Sequence, residues 1–133
     1  MMTIRLFISL NIFFGFLLLV SCNAKKNQDL SLLQIDSKVA TKFINKDDYL
    51  FLDVRSIEEH RVIAIPNTPI IPVQELENRI NELEIYRDKK IIVYCRSGNR
   101  SKLGTDILTK NGYEAVNLIG GMNQWEGPII SEK

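Results

Sequence analysis

The sequence is poor in the residues that bind metals or cofactors. Its 133 residues include two cysteines and one histidine, and they form no cluster of metal ligands and no glycine-rich nucleotide loop. The 17 basic side chains are matched by 16 acidic ones, so there is no basic excess of the kind that favours nucleic acid. We therefore expect no metal, no cofactor and no nucleic-acid partner.

Charged side chains are also scarce over the first 21 residues. One basic side chain, Arg5, precedes a mostly apolar run from Leu6 to Val20. A basic start followed by an apolar run is typical of a secretory signal. The run is short for a membrane-spanning helix, which needs about 20 apolar residues. We predict that residues 1–21 are a signal peptide, and a signal anchor is the alternative.

The apolar run ends in Leu19-Val20-Ser21-Cys22, which resembles the lipobox of bacterial lipoproteins. In those proteins the cysteine is lipidated and becomes the mature N-terminus. The resemblance implies a lipid on Cys22. The polar composition of the next residues predicts a tether over residues 22–30, and the remaining length allows a single domain over residues 31–133. The resemblance also implies export and anchoring to the bacterial cell envelope, at its periplasmic face or at the cell surface. The alternative is an ordinary cleavage site beside a chance cysteine.

Beyond the tether, helical apolar spacing alternates with short apolar runs typical of buried strands. The predicted strands are Tyr49–Leu52, Ile91–Tyr94 and Ala115–Leu118. Helices are predicted from Asp36 or Ser37 to about Asn45, over Val73–Tyr86, and from Ser101 to Gly112 with Leu103, Ile107 and Leu108 facing the core. This alternation predicts an α/β domain with a parallel sheet flanked by helices on both faces.

Cys95 directly follows the second predicted strand, and Asp53 follows the first. Reactive groups gather where parallel strands end, at the carboxyl edge of the sheet. Once Cys22 is lipidated, Cys95 has no intramolecular partner, and chemistry is one explanation for an unpaired thiol in an exported domain. The structural alternative is a small buried hydrophobe at the end of a strand.

The segment from Cys95 to Ser101 joins this strand to the next helix. Gly98 allows a tight turn, and such a turn can direct successive N–H groups inward to bind an anion. The helix N-terminus adds its dipole, and Arg96 and Arg100 add positive charge. These surroundings are expected to lower the pKa of the thiol. We therefore predict that Cys95 is a nucleophile beside a site for an anionic donor.

Three segments in order resemble the rhodanese family. Leu52-Asp53-Val54-Arg55 resembles its first hallmark, Cys95 to Ser101 its active-site loop, and Gly120 to Trp125 its closing Gly-Gly-x-x-x-Trp signature. The resemblance extends from about residue 33 to residue 128 and implies a single-domain rhodanese-like sheet. It implies a sulfurtransferase that moves sulfane sulfur from a donor such as thiosulfate to a thiol or cyanide, through a persulfide on Cys95.

The resemblance also assigns roles to individual residues. The substrate-binding residues that it implies are Arg96, Ser97, Gly98, Asn99 and Arg100. The two arginines would steer the anionic donor, and the loop amides would hold the persulfide. Residues implied to give structural support are Asp53, Arg55 and Ser101, and Trp125 is expected to be a core aromatic.

One segment departs from the family pattern. Where relatives carry Gly-His-Ile-Pro-Gly-Ala, this chain reads Ile-Ala-Ile-Pro-Asn-Thr, so Ala64 stands at the histidine position. The only histidine, His60, is expected to lie at the surface or to pack against a helix.

Two other functions stay open. The domain could be a persulfide relay or protein-binding module tethered to the membrane, with a protein persulfide as donor and a thiol as acceptor. It could instead be a phosphatase, since phosphatases of related fold also use a cysteine–arginine loop. Those phosphatases place five residues between cysteine and arginine, whereas four lie between Cys95 and Arg100 here.

Overall fold

The computed structural model describes residues 33–132, and the predicted signal peptide, the tether and Cys22 lie outside them. The described strands are β1 (Gln34–Ile35), β2 (Tyr49–Asp53), β3 (Lys90–Tyr94) and β4 (Ala115–Leu118). They form a parallel sheet in the order β1-β4-β3-β2. The last three confirm the predicted strands. β1 was not predicted, because two residues are too few to show a strand pattern.

The described α-helices are α1 (Ser37–Ala40), α2 (Ile57–Val62) and α3 (Asn99–Lys110). The more tightly wound 3-10 helices cover Thr41–Phe43, Ile80–Tyr86 and Gly121–Gln124. α1 starts where its sequence indicates, because the Asp36 side chain accepts a hydrogen bond from the Val39 amide at 2.8 Å and caps the helix. α1 is shorter than predicted and continues as the first 3-10 helix.

The α-helix predicted over residues 73–86 is wrong. This segment consists of turns followed by the 3-10 helix Ile80–Tyr86. Most of its backbone hydrogen bonds span three residues, as from the Glu82 amide to the Arg79 carbonyl at 3.0 Å, and one spans four, from the Arg79 amide to the Glu75 carbonyl at 3.0 Å. Leu76 and Leu83 are nevertheless buried. The apolar spacing predicted which side chains face the core, but it did not distinguish an α-helix from a tighter coil that buries the same residues.

The inward face of α3 also differs from the prediction. Leu103 is 54% exposed, and the buried residues of this helix are Ser101, Gly104, Thr105 and Leu108. A side chain at Gly104 would place its Cβ 3.2 Å from Val93 on the sheet. The missing side chain therefore lets α3 pack close to the sheet on a face of small residues, and Leu103 lies outside that face.

Both faces of the sheet are covered by apolar clusters. The cluster on one face includes Leu52, Val93 and Ala115 of the sheet with Leu76, Leu83 and Leu108 from the covering segments. The cluster on the other face includes Phe51, Ile92, Tyr94, Val116 and Leu118 with Ala40 and Ile65, and Trp125 packs against it. The structure confirms an α/β sheet covered on both faces.

Among residues 33–132, no helix has the length and hydrophobicity needed to cross a membrane.

Candidate active site

Cys95 lies at the carboxyl end of β3 with its side chain turned into the protein. It is a free cysteine and is 1% exposed. Its Sγ accepts a hydrogen bond from the Gly98 amide at 3.1 Å and lies 3.3 Å from the Ser101 hydroxyl oxygen. The loop that follows β3 therefore folds back over the sulfur and surrounds it with hydrogen-bond donors.

The closing Gly-Gly segment holds this loop through two backbone hydrogen bonds. The Met122 amide donates to the Cys95 carbonyl and the Asn123 amide to the Arg96 carbonyl, both at 2.9 Å. Gly121 has φ +51°, and a Cβ there would clash with the Cys95 carbonyl oxygen and lie 2.8 Å from the Arg96 carbonyl carbon. A glycine is thus required beneath the loop. The sequence showed the glycine pair but not what it contacts.

Hydrogen bonds lower the pKa of the Cys95 thiol. Burial is the largest single influence and raises this pKa, but four hydrogen bonds together outweigh it. They come from the Ser101 hydroxyl and from the backbone of Ser101, Gly98 and Ser97. The net pKa lies below the ordinary value for cysteine. The sequence predicted a lowered pKa, from the loop amides and from the charges of two arginines. The hydrogen bonds are the main cause of the lowering.

The two loop arginines lie in different surroundings. Arg100 is half-buried and donates two hydrogen bonds to the Glu59 carboxylate, at 2.7 and 2.8 Å. These bonds lower the pKa of Glu59 to about 2. Arg96 is exposed and forms no ion pair with any other residue of 33–132. Arg96 is therefore the loop cation that is available to an incoming anion.

Glu59 also fixes the helix that carries it. Its carboxylate accepts a hydrogen bond from the Ser56 amide, and the Ser56 hydroxyl accepts one from the Glu59 amide, both at 3.1 Å. This reciprocal pair is a capping box at the start of α2. One carboxylate thus anchors α2 and holds Arg100 of α3. The Ser-x-x-Glu spacing was visible in the sequence, but its contact with Arg100 was not.

Asp53 and Arg55 form a buried ion pair at the end of β2. Asp53 is fully buried and Arg55 is 3% exposed, with Nη2 2.6 Å from the carboxylate. The same nitrogen donates to the Ile63 carbonyl at 2.7 Å. His60 Nδ1 lies 2.9 Å from the Asp53 carboxylate, so the histidine packs from α2 against this pair. The three side chains join the sheet edge to α2 and to the turn after it.

A further buried polar residue contacts Ser101 beside Cys95. Asn117 is a buried residue of β4, and its Oδ1 lies 2.6 Å from the Ser101 hydroxyl oxygen. Sequence reasoning missed Asn117, although a polar residue inside an otherwise apolar buried strand was a signal.

Ala64, which stands at the histidine position of the family pattern, is buried. Its backbone forms an isolated antiparallel bridge with Ile130, with hydrogen bonds of 2.9 and 2.8 Å.

The groups around Cys95 suit an anion better than a metal. The sulfur faces amide and hydroxyl donors, and the exposed side chain next to it in the chain is the cation Arg96. Over residues 33–132, no group of three or more histidine, cysteine or acidic side chains is arranged to hold a metal ion.

Comparisons with known proteins agree with this arrangement. Residues 36–128 match the Rhodanese-like domain family. The chain is 36% identical over 107 residues to YrkF of Bacillus subtilis, which is named as a candidate sulfur carrier protein, and the match covers 79% of this chain and 54% of YrkF. It is 32% identical to a sulfurtransferase of Allochromatium vinosum, over 69% of this chain and 86% of that protein.

A solved structure shows the same fold. The crystal structure of a rhodanese-related protein from Thermoplasma volcanium is 33% identical, with a TM-score of 0.68, over 74% of this chain and 98% of that one. The chain spans about half of YrkF and 26% of two longer relatives named adenylyltransferase and sulfurtransferase. The family match, the relatives and the shared fold show that this chain belongs to the rhodanese-like domain family of sulfurtransferases and sulfur carriers.

Proposed function

We propose that this domain is a sulfurtransferase that works by double displacement through Cys95. The observation on which the proposal rests is the ring of amide and hydroxyl donors around the buried Cys95 sulfur, which lowers the pKa of the thiol. A lowered pKa raises the fraction of thiolate, and the thiolate is the nucleophilic form of cysteine. The donors that favour the thiolate are also suited to a persulfide anion at the same place.

In the first half-reaction, the Cys95 thiolate attacks the outer sulfur of a donor such as thiosulfate. A new sulfur–sulfur bond forms on Cys95, the sulfur–sulfur bond of thiosulfate breaks, and its electron pair leaves with sulfite. In the second half-reaction, cyanide or a thiolate attacks the terminal sulfur of the persulfide. The sulfur–sulfur bond of the persulfide breaks, its electron pair stays on Cys95 as the thiolate, and the product is thiocyanate or an acceptor persulfide. Arg96 is the group best placed to attract the anionic donor.

The direct test is steady-state turnover with thiosulfate and cyanide, followed as thiocyanate. We expect turnover by the wild type and none by Cys95→Ser, which exchanges sulfur for oxygen in a site of the same shape. Equal unfolding midpoints would show that the variant is folded. Turnover by Cys95→Ser would contradict the mechanism.

The second candidate is a relay that receives a persulfide from one protein and passes it to another. The likeness to YrkF favours it. Both functions need the same loop, so the kinetics must separate them. Slow thiosulfate turnover beside rapid transfer of labelled sulfur from a protein persulfide would favour the relay, and the reverse would favour thiosulfate as the donor.

The ion pair of Arg100 argues against a phosphatase. In that function Arg100 would bind the phosphate, but its guanidinium is held by Glu59 through two hydrogen bonds. Incubation with a chromogenic phosphate ester tests this directly. We expect no Cys95-dependent hydrolysis, and appreciable hydrolysis would favour the phosphatase.

We also propose that the domain is exported and tethered to the cell envelope through a lipid on Cys22. The proposal rests on the Leu-Val-Ser-Cys sequence at the end of the apolar run. In a bacterial host, the full chain should fractionate with membranes and carry the mass of a diacylated Cys22. Cys22→Ser should lose that mass. A mature wild-type chain with an unmodified Cys22 would refute the lipid anchor.

A further inference from the structure

The Ser101 hydroxyl has one proton and two acceptors within reach. Its oxygen lies 2.6 Å from Asn117 Oδ1 and 3.3 Å from Cys95 Sγ. All three residues are buried. A hydroxyl can donate only one hydrogen bond at a time. Asn117 and Cys95 therefore compete for the same proton.

The fold fixes the positions of these three side chains relative to one another. Ser101 lies in the first turns of α3, Cys95 follows β3, and Asn117 lies in β4 opposite Val93 of β3. The close packing of α3 on the sheet keeps the hydroxyl between the other two groups.

The competition has different outcomes for the two protonation states of Cys95. In the thiol form, the S–H group can donate to the Ser101 oxygen while Ser101 donates to Asn117, so each donor has an acceptor. In the thiolate form, the Ser101 hydroxyl can donate to the sulfur only by giving up its hydrogen bond to Asn117. The Asn117 carbonyl oxygen then faces the Ser101 oxygen at 2.6 Å without a proton between them, which is unfavourable.

We propose that Asn117 is a positioning residue that draws the Ser101 proton away from Cys95 and so limits how readily the thiol ionises. This goes beyond the proposed sulfur transfer and needs from it only that Cys95 is the reacting group. The intrinsic nucleophilicity of a thiolate falls as the pKa of its parent thiol falls. The best attacking thiol therefore has a pKa near the ambient pH. Asn117 would offset part of the acidifying effect of the loop amides and keep the sulfur reactive.

The charged and titratable groups on the elements around Cys95 come from several parts of the fold. They include Arg96 of the loop, Arg100 of α3 with its partner Glu59 of α2, and the Asp53–Arg55 pair at the end of β2 with His60. A test of Asn117 must leave all of them in place. Substitutions at Asn117 and Ser101 meet this condition, because both side chains are uncharged.

The test is a double-mutant cycle on the pKa of Cys95. The variants are Asn117→Leu, Ser101→Ala and the double variant, and the measurement is the pH dependence of alkylation by iodoacetamide in the absence of any sulfur donor. Asn117→Leu should lower this pKa by about half a unit to one unit. At pH values below the pKa, alkylation should then be about threefold to tenfold faster, because the thiolate fraction is larger. Ser101→Ala should raise the pKa.

The decisive comparison is Asn117→Leu in the Ser101→Ala background, where no shared proton remains. We expect no pKa shift there. An equal shift in both backgrounds would mean that Asn117 acts only through packing. An unchanged or raised pKa in the wild-type background would mean that its amide group does not take the proton. Both results would overturn the proposal.

Asn117→Val provides the same cycle if leucine at this position prevents folding, because β-branched residues suit a buried strand. Alkylation requires no sulfur transfer. Failure of this proposal is therefore distinguishable from failure of the proposed function, which thiosulfate turnover tests separately.

Discussion

The Glu59 carboxylate accepts a hydrogen bond from each terminal nitrogen of the Arg100 guanidinium, at 2.7 and 2.8 Å. This bidentate pair links α2 to the first turn of α3 beside the active-site loop. Such a pair fixes geometry as well as charge. Arg100 therefore supports the loop, and Arg96 is left as the exposed arginine next to Cys95.

Replacing Arg96 with alanine should weaken binding of an anionic donor. We expect KM for thiosulfate to rise several-fold with little change in kcat, because the lost attraction acts on the bound donor and on the transition state alike. The effect should shrink as salt is added. Steady-state kinetics at low and high ionic strength provide the measurement.

Lys102→Ala is the matched control for Arg96, since it removes one exposed positive charge from the outer part of α3. Its KM should stay close to the wild-type value. Equal changes in the two variants would show that overall charge, and not the position of Arg96, attracts the donor.

Replacing Glu59 with glutamine should remove a contribution to stability that is present at neutral pH and is lost at low pH. The folded-state pKa of Glu59 is about 2 and its ordinary value is 4.5. The pair with Arg100 therefore stabilises the fold fully above about pH 4.5 and loses this effect as the pH falls towards 2. Both side chains are partly exposed, so the contribution should be about 1 kcal/mol or less.

Urea unfolding of the wild type and Glu59→Gln at pH 7 and pH 3 measures this contribution. Glutamine keeps an oxygen for the Ser56 amide, so the helix cap is retained. The difference in stability between the two proteins should be larger at pH 7 than at pH 3. A difference that is the same at both pH values would contradict the assignment.

Replacing Asp53 with asparagine should destabilise the fold far more than replacing Glu59 with glutamine. Arg55 is 3% exposed and would be left as a buried charge beside a neutral amide. Breaking a buried ion pair by removing one partner costs about 3–5 kcal/mol. Glu114→Gln is the control, because its pair with Lys90 is exposed and should change stability by less than about 1 kcal/mol. Similar losses in the two variants would show that Asp53 does not neutralise Arg55.

Replacing Gly121 with alanine should damage both the fold and the reactivity of Cys95. The added Cβ would clash with the Cys95 carbonyl, and the backbone there has a positive φ. We expect a loss of about 2 kcal/mol or more in unfolding free energy and slower alkylation of Cys95.

Gly112→Ala separates the effect of backbone strain from the effect of the steric clash at Gly121. Gly112 also has a positive φ, but its Cβ would meet only Arg87 at an ordinary 3.5 Å. This variant should show backbone strain alone, with a smaller loss of stability and normal Cys95 alkylation. A Gly121→Ala protein as stable and reactive as Gly112→Ala would refute the supporting role of the closing glycine.

The sequence was sufficient to predict three of the four described strands and the place of Cys95. The buried strands are continuous apolar runs, and Cys95 follows one of them at the carboxyl edge, where parallel strands bring reactive groups together. These properties depend on local pattern, so they can be read without the three-dimensional structure. The helix over residues 73–86 was predicted wrongly because α and 3-10 helices have similar apolar spacing over short segments.

The contacts that tune the site could not be predicted in this way. Glu59 and Arg100 are 41 residues apart, and Ser101 and Asn117 are 16 apart. Each contact depends on how α2 or α3 packs against the sheet. That packing is set by features such as the missing side chain of Gly104, whose effect appears only when the neighbouring strand is in place.

The central claim is that Cys95 carries sulfur as a persulfide. The most direct test is the intact mass of the purified protein after treatment with thiosulfate, followed by peptide mapping. The account predicts the mass of one additional sulfur atom, located on Cys95, lost on addition of cyanide and absent from Cys95→Ser. A wild-type protein that gains no sulfur from thiosulfate or from a protein persulfide, or that gains it elsewhere, would contradict the account.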